Sequence, residues 1–217
     1  MPKLELLPGF EKQILEEAIQ SPAVAMMRLS LEIERQLRLI LAVIGRLKDY
    51  TGQSPTEALD LIAMSNEGSA IPPELRDILE NFWDLRNSIV HGARSHHVIA
   101  MRAVDYGLRI LRALQAIPRP NFIVAARVPL FSDRYCQTLR DDVWGVILEH
   151  WGAKGENFGR HTHPSRKKYI EGGSVSWEWA LNGPGWEETW YREPQTGETK
   201  LAWSESLEFV GRPLDQI

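Results

Sequence analysis

The run Phe82-Trp83-Asp84-Leu85-Arg86-Asn87-Ser88-Ile89-Val90-His91-Gly92 sets an arginine, an amide and a histidine at the end of a predicted helix. Histidine exchanges protons near neutral pH, and arginine offers a planar fork of donors that fits a phosphate. RNA can be cut without a metal when its own 2′-hydroxyl attacks the adjacent phosphorus. That step needs a base for the hydroxyl, an acid for the leaving oxygen and positive donors for the developing charge. Arg86 and His91 supply these groups, but five residues of α-helix turn through about 500°, so the two side chains diverge by about 140°. One chain alone makes a poor site. Two chains on a two-fold axis bring together two histidines and two arginines, an acid and a base from one motif. The competing reading is structural: His91 sits against the helix C-terminal dipole and its last carbonyls, and Arg86 pairs with Glu32, Glu34 or Asp84.

The elements that carry this run read as helices. Ser21-Pro22 is a cap followed by proline at the first helical position, and Leu29, Ile33, Leu37, Ile40, Ile44 and Leu47 then recur at helical spacing, predicting a helix over about 22–48. Its middle, Leu39 to Ile44, is apolar all round, which calls for cover on more than one face. Ser54-Pro55-Thr56-Glu57 starts a shorter helix to about Met64, and Pro72-Pro73-Glu74 opens the next. Leu75, Ile78, Leu79, Phe82, Leu85, Ile89 and Val90 form its buried stripe, and Gly92 marks its stop. A helix over about 95–116 turns Ile99, Val104, Leu108, Leu111 and Leu114 inward, and a short one covers about 10–19. Four or five antiparallel helices make a small bundle.

A helical bundle with Arg86-Asn87 followed four residues later by His91 resembles the HEPN superfamily, whose motif is arginine, a polar residue and, after a short gap, histidine. The segment Ala25-Met26-Met27-Arg28-Leu29-Ser30-Leu31-Glu32-Ile33-Glu34-Arg35 looks like the long helix of a bacterial branch of such proteins, and the resemblance spans about residues 10–116. It implies an all-α bundle that forms a homodimer with the motifs facing each other, and metal-independent endoribonuclease activity in a toxin or antiviral defence setting. Other members keep the fold as a non-catalytic dimerisation or binding module. The resemblance gives His91 the acid/base role, Arg86 the phosphate and Asn87 the orientation of a phosphate or ribose hydroxyl. A regulatory or antitoxin protein is a further implied partner.

Other basic groups are candidates for holding RNA. Arg102, Arg109 and Arg112 lie within about 80° of each other on the last helix, with Arg94 before them; such a stripe either tracks phosphates or is a solvated, salt-bridged face. Lys154, Arg160, Arg166, Lys167 and Lys168, opposed only by Glu156, make the most basic stretch. His161-Thr162-His163 lacks a second ligand cluster at a recognised spacing, so we expect no metal and no cofactor.

Helical periodicity ends at Pro118-Arg119-Pro120, where we place a boundary between a 1–118 bundle and a 119–217 unit. Seven of the eight tryptophans follow it. Residues 122–128, 143–148, 175–181 and 207–210 read as strands, although 136–150 also fits a helix, and 188–192 with 199–203 reads as a hairpin across Glu193-Pro194-Gln195-Thr196-Gly197-Glu198. Trp177, Trp179, Trp186, Trp190 and Trp203 either stack nucleobases or fill the core of this unit. The expected fold class is α+β: an HEPN-like antiparallel bundle, then a small Trp-rich β or α+β unit.

The chain has 217 residues, 43% hydrophobic and 25% charged, with net charge −4, so its surface as a whole is not a nucleic-acid footprint. The single Cys136 excludes an internal disulfide, the N-terminus shows no signal pattern, and the longest apolar run is too short to span a bilayer. We expect a cytoplasmic protein with no membrane partner.

Overall fold

The computed structural model describes residues 9–52, 54–65, 71–91, 97–152, 154–181, 188–202 and 207–217. Arg94, Gly92, Trp186 and Trp203 lie outside the described residues. The protein is α+β, and it divides into two compact units, Met1–Leu41 with Arg46–Pro118, and Ala42–Gly45 with Arg119–Ile217.

The first unit is helical: α1 (Phe10–Gln20), α2 (Pro22–Val43), α3 (Pro55–Ala63), α4 (Leu75–Val90) and α5 (His97–Ala116). Ser54 caps α3 by accepting the Thr56 N–H at 3.2 Å. The second helix is shorter than its periodicity predicts. Gly45 takes φ +75°, its N–H reaches the Ala42 carbonyl at 3.3 Å, and the Arg46 N–H reaches that of Leu41 at 2.8 Å. These are the two bonds of a Schellman cap, so the helix stops at Val43 and Leu47–Asp49 forms a separate 3-10 turn. As the all-apolar middle requires, Leu39 to Val43 are fully buried.

The expected stripe of α4 is present, with Leu75, Leu79, Phe82 and Ile89 buried. It packs against α5 at Gly107, where an added Cβ would lie 2.7 Å from Phe82 Cε2 and 3.0 Å from Leu29 Cδ1. Only a residue without a side chain allows that approach. Val104, Leu108, Leu111 and Leu114 point inward as expected, but Ile99 does not: it is 40% exposed, and the next residue, the fully buried Ala100, takes the inward position on that turn. Ion pairs tie the helices at their rims, Arg28 with Glu17, Arg112 with Glu11 at 2.6 Å, and Arg76 with Asp60 at 2.6 Å.

The second unit is built on β1 (Asn121–Phe131), β2 (Leu139–Trp151) and β3 (Asn157–Ser165), followed by β4 (Ser174–Val175), β5 (Trp179–Leu181), β6 (Trp190–Arg192), β7 (Thr199–Leu201) and β8 (Leu207–Phe209). The main sheet has the order β3-β2-β1-β6-β7, with β4 beside β1, and β5 pairs with β8. The helical alternative for 136–150 is not formed; from Leu139 the chain is strand, where Val143, Trp144, Val146 and Ile147 favour the pleated surface. The third strand was not foreseen. It lies at the sheet edge, where Pro164 is tolerated although it has no N–H to give to a neighbouring strand. The run 175–181 splits between β4 and β5, and the expected hairpin is β6–β7, closed by the Glu193 N–H on the Glu198 carbonyl at 2.8 Å.

One core joins Phe122, Val124, Val146, Leu148, Tyr169, Val175 and Phe209, with Trp177 and Trp179 packed on it. A second joins Val128, Leu130, Val143, Ile147, Tyr191 and Ala202. The first explains two titrations. Burial drives the His163 pKa down to about 3, helped by the nearby charge of His161, and pushes the Tyr169 phenol up to about 12.

Candidate functional site

Arg86 and Asn87 sit on the final turns of α4, and His91 is its C-cap, with φ −85° and ψ 13°. The helix continues to Val90 because Leu85, Ile89 and Val90 complete the apolar stripe, and Arg86 emerges beside it. Its Nη1 donates to Asn87 Oδ1 at 2.9 Å, while the backbone carbonyl of Asn87 accepts the His91 N–H at 3.0 Å. The Asn87 side chain therefore holds Arg86, while the bond to His91 is the last i→i−4 bond of the helix backbone. His91 is exposed, and its imidazole makes no hydrogen bond among the described residues, to the last carbonyls or elsewhere.

The ion pair expected on the structural reading of Arg86 is not formed. Glu32 is engaged by Arg35 at 2.9 and 2.7 Å and by Gln36 at 2.9 Å, and Arg86 meets no carboxylate among the described residues. Arg86 Nη2 instead lies 3.9 Å from Met27 Sδ on α2, and its Nε is buried without an acceptor. Met27 is the contact that the sequence reading missed. It belongs to an exposed row, Val24 (49% exposed), Met27 (42%) and Leu31 (62%), spaced i, i+3, i+7 on α2 and opposite the buried Leu29, Ile33 and Leu37. The available signal was that α2 carries more apolar positions than one core-facing stripe needs.

The structure does not gather the other basic candidates into one free surface. On α5, Arg102 lies 5.7 Å from the Tyr106 ring centre and Arg109 is exposed, but Arg112 is engaged by Glu11 at 2.9 and 2.6 Å, which also holds the Glu11 pKa down. In the second unit, Arg160 lies 3.8 Å from Glu149 and 3.7 Å from the buried Glu193. Arg166 is bound to Glu208, its backbone N–H at 2.7 Å and its guanidinium at 3.4 Å. Lys167 Nζ donates to the Val210 carbonyl at 2.5 Å, and Lys154 and Lys168 are exposed. Among the described residues no three His, Cys, Asp or Glu side chains are placed to hold a metal ion, and no helix is long and apolar enough to cross a membrane.

What the motif can do chemically is limited to what it contains: a guanidinium that meets no carboxylate among the described residues, an amide that positions it, and an exposed imidazole at a helix end. The chain matches no protein-family model, no curated protein and no solved structure, so these groups and their geometry are the whole basis for assigning it a role.

Proposed function

We propose that the helical unit is an HEPN-like bundle and that the protein is a metal-independent endoribonuclease, cleaving RNA by 2′-hydroxyl attack at a site completed by a second copy. The observation that carries this reading is the arrangement at the end of α4, where Arg86 meets no carboxylate among the described residues, is held by the Asn87 side chain and is followed at the helix end by an exposed His91. An arginine neutralised by glutamate has little left for a phosphate; this one keeps its charge. In the two-fold assembly one His91 takes the 2′-hydroxyl proton, its mate gives a proton to the leaving 5′-oxygen, and the two Arg86 side chains stabilise the phosphorane charge. The row Val24, Met27 and Leu31 touches Arg86 through Met27 and is the surface on which the two copies meet. Arg102 and Arg109 are additional phosphate contacts on this reading. A cytoplasmic toxin or antiviral role, with a regulatory or antitoxin protein to restrain cleavage, fits such an enzyme.

The test is cleavage of total RNA and of tRNA in excess chelator by the wild type, His91→Ala and Arg86→Ala. The expected outcome is metal-independent cutting with cyclic-phosphate ends, lost in both variants. Absence of cutting, or equal cutting by all three, favours the second reading, a non-catalytic dimerisation or binding module. That reading draws on the buried Arg86 Nε and its seat on Met27, which also suit an arginine built into helix packing.

A further inference from the structure

The described tryptophans are half-buried with one exception, Trp144, which is 43% exposed on β2. The guanidinium carbon of Arg127, from β1, lies 4.9 Å from the centre of its ring. Arg127 makes no hydrogen bond and no ion pair among the described residues, and its Nε is buried without an acceptor. Most other arginines of this unit are neutralised: Arg140 by Asp142 at 2.9 Å, Arg160 by Glu149 and Glu193, Arg166 by Glu208, Arg212 by Glu178 at 2.7 Å. An exposed indole beside a cation that no carboxylate claims among the described residues is thus a local feature of one sheet face.

The register shows how it is made. Val124 pairs with Leu148, but Ala126 pairs with Ile147, so Ala125 is an extra residue, a bulge in β1. Beyond it Arg127 pairs with Val146 and Pro129 with Trp144. In an unbroken ladder residue 127 would oppose Gly145 and point to the other face, among Val128's present neighbours. The bulge re-aims the strand so that Val128 and Leu130 enter the second core and Arg127 shares the face of Trp144. Ser165, the partner of Trp144 on β3, leads directly into Arg166, whose charge reaches Asp142. Among the described residues, Asp142 and Glu208 are occupied by Arg140 and Arg166.

We propose that Trp144 and Arg127 form a single-stranded RNA contact in the second unit, a base stacking on the indole and its phosphate held by the guanidinium. RNA as the ligand rests on the nuclease reading above; the surface itself rests on the second unit alone. An acidic protein segment would be drawn to Arg127 but gains little from an exposed indole, whereas every nucleobase offers a π face and every nucleotide a phosphate. The site would select unpaired RNA, since a base must be free to stack.

The test uses the full-length protein and a fluorescein-labelled 2′-O-methyl oligouridylate 12-mer, which lacks the nucleophilic hydroxyl and so cannot be cut by the proposed chemistry. Anisotropy titrations in chelator compare the wild type with Trp144→Ala, Trp144→Phe and Arg127→Ala. We expect Trp144→Ala to weaken binding about 10-fold or more and Trp144→Phe to stay within about 3-fold of wild type. Arg127→Ala should weaken binding and reduce the salt slope by roughly 0.7, one phosphate contact on a single strand. Unchanged binding in Trp144→Ala, equal losses in the Phe and Ala variants, no wild-type binding below about 100 µM, or preference for polyglutamate over the oligonucleotide each overturns the proposal. Trp144-dependent binding by a protein that cuts no RNA would leave this site standing and remove the nuclease reading; cutting without such binding would do the reverse.

Discussion

His163 gives a titration that can be measured without knowing any ligand. It is 3% exposed, with the Trp179 ring 4.8 Å away edge-on, Trp177 at 6.0 Å, Phe209 at 6.2 Å and His161 at 6.4 Å. Burial first, and the charge of His161 second, hold its pKa at about 3, against 6.5 for the unperturbed group. The folded value is depressed, so the stabilisation is complete above pH 6.5 and is lost as pH falls towards 3. Between those values the unfolded chain binds up to one proton more at this position, and stability drops by up to about 1.4 kcal/mol per pH unit. From pH 6.5 to 4.5 that is roughly 2 kcal/mol from one side chain. Urea unfolding followed by tryptophan fluorescence reads it well, because seven of the eight tryptophans follow residue 118. His163→Phe keeps a ring against Trp179 and removes the proton site. Wild type should lose about 2 kcal/mol more than His163→Phe over this range, while His150, whose pKa burial also lowers, leaves a smaller slope in both. Parallel pH profiles, agreeing within about 0.5 kcal/mol, would refute the argument that burial holds His163 neutral.

Gly107→Ala should destabilise the helical unit by about 1–3 kcal/mol in thermal or urea unfolding, although alanine is the better helix former, because its methyl would lie 2.7 Å from Phe82 Cε2. Met27→Glu should leave the circular dichroism spectrum unchanged and shift the protein to monomer in sedimentation velocity, with cleavage lost alongside; a dimer that persists removes the α2 row as the meeting surface. Glu11→Gln removes the partner of an exposed Arg112 and should cost less than about 1 kcal/mol, read from the same unfolding curves.

The sequence makes the helical half legible because its rules are local. Caps at Ser21 and Ser54, the apolar stripe of α4 and the change of pattern at Pro118 all lie within a few residues of what they control. Where the reading of α2 overran, it ignored a local signal too: Gly45 can take the positive φ that closes a Schellman cap, but the apolar residues beyond it continued the period. In the second half the missing information is not local. Nothing within 157–165 says that this stretch forms an edge strand: its histidines and glycine are weak strand formers, and its proline, with no N–H to give, is acceptable because one side goes unpaired. Likewise Leu139 to Trp151 fits a helix until β1 and β3 are present to pair with it.

The arginines show the same limit in the candidate sites themselves. Counting charge along the chain picks out 154–168 as the basic stretch, but folding brings Glu149, Glu193 and Glu208 onto Arg160 and Arg166 from distant segments. Sequence density of positive charge therefore overstates what this stretch has left for phosphate. Arg86 stands out in the sequence through its motif, whereas nothing in the sequence around Arg127 marks it, and charge density picks out neither. Yet these two combine a buried Nε without an acceptor with a guanidinium that meets no carboxylate among the described residues. Each is seated on a soft, polarisable group, Met27 sulfur for Arg86 and the Trp144 ring for Arg127. Such a seat holds the side chain in place while leaving its charge uncompensated, which is the condition for binding an anion at little entropic cost. If phosphate is what these arginines await, substituting either one should reduce the salt dependence of RNA binding, and substituting Arg160 should not.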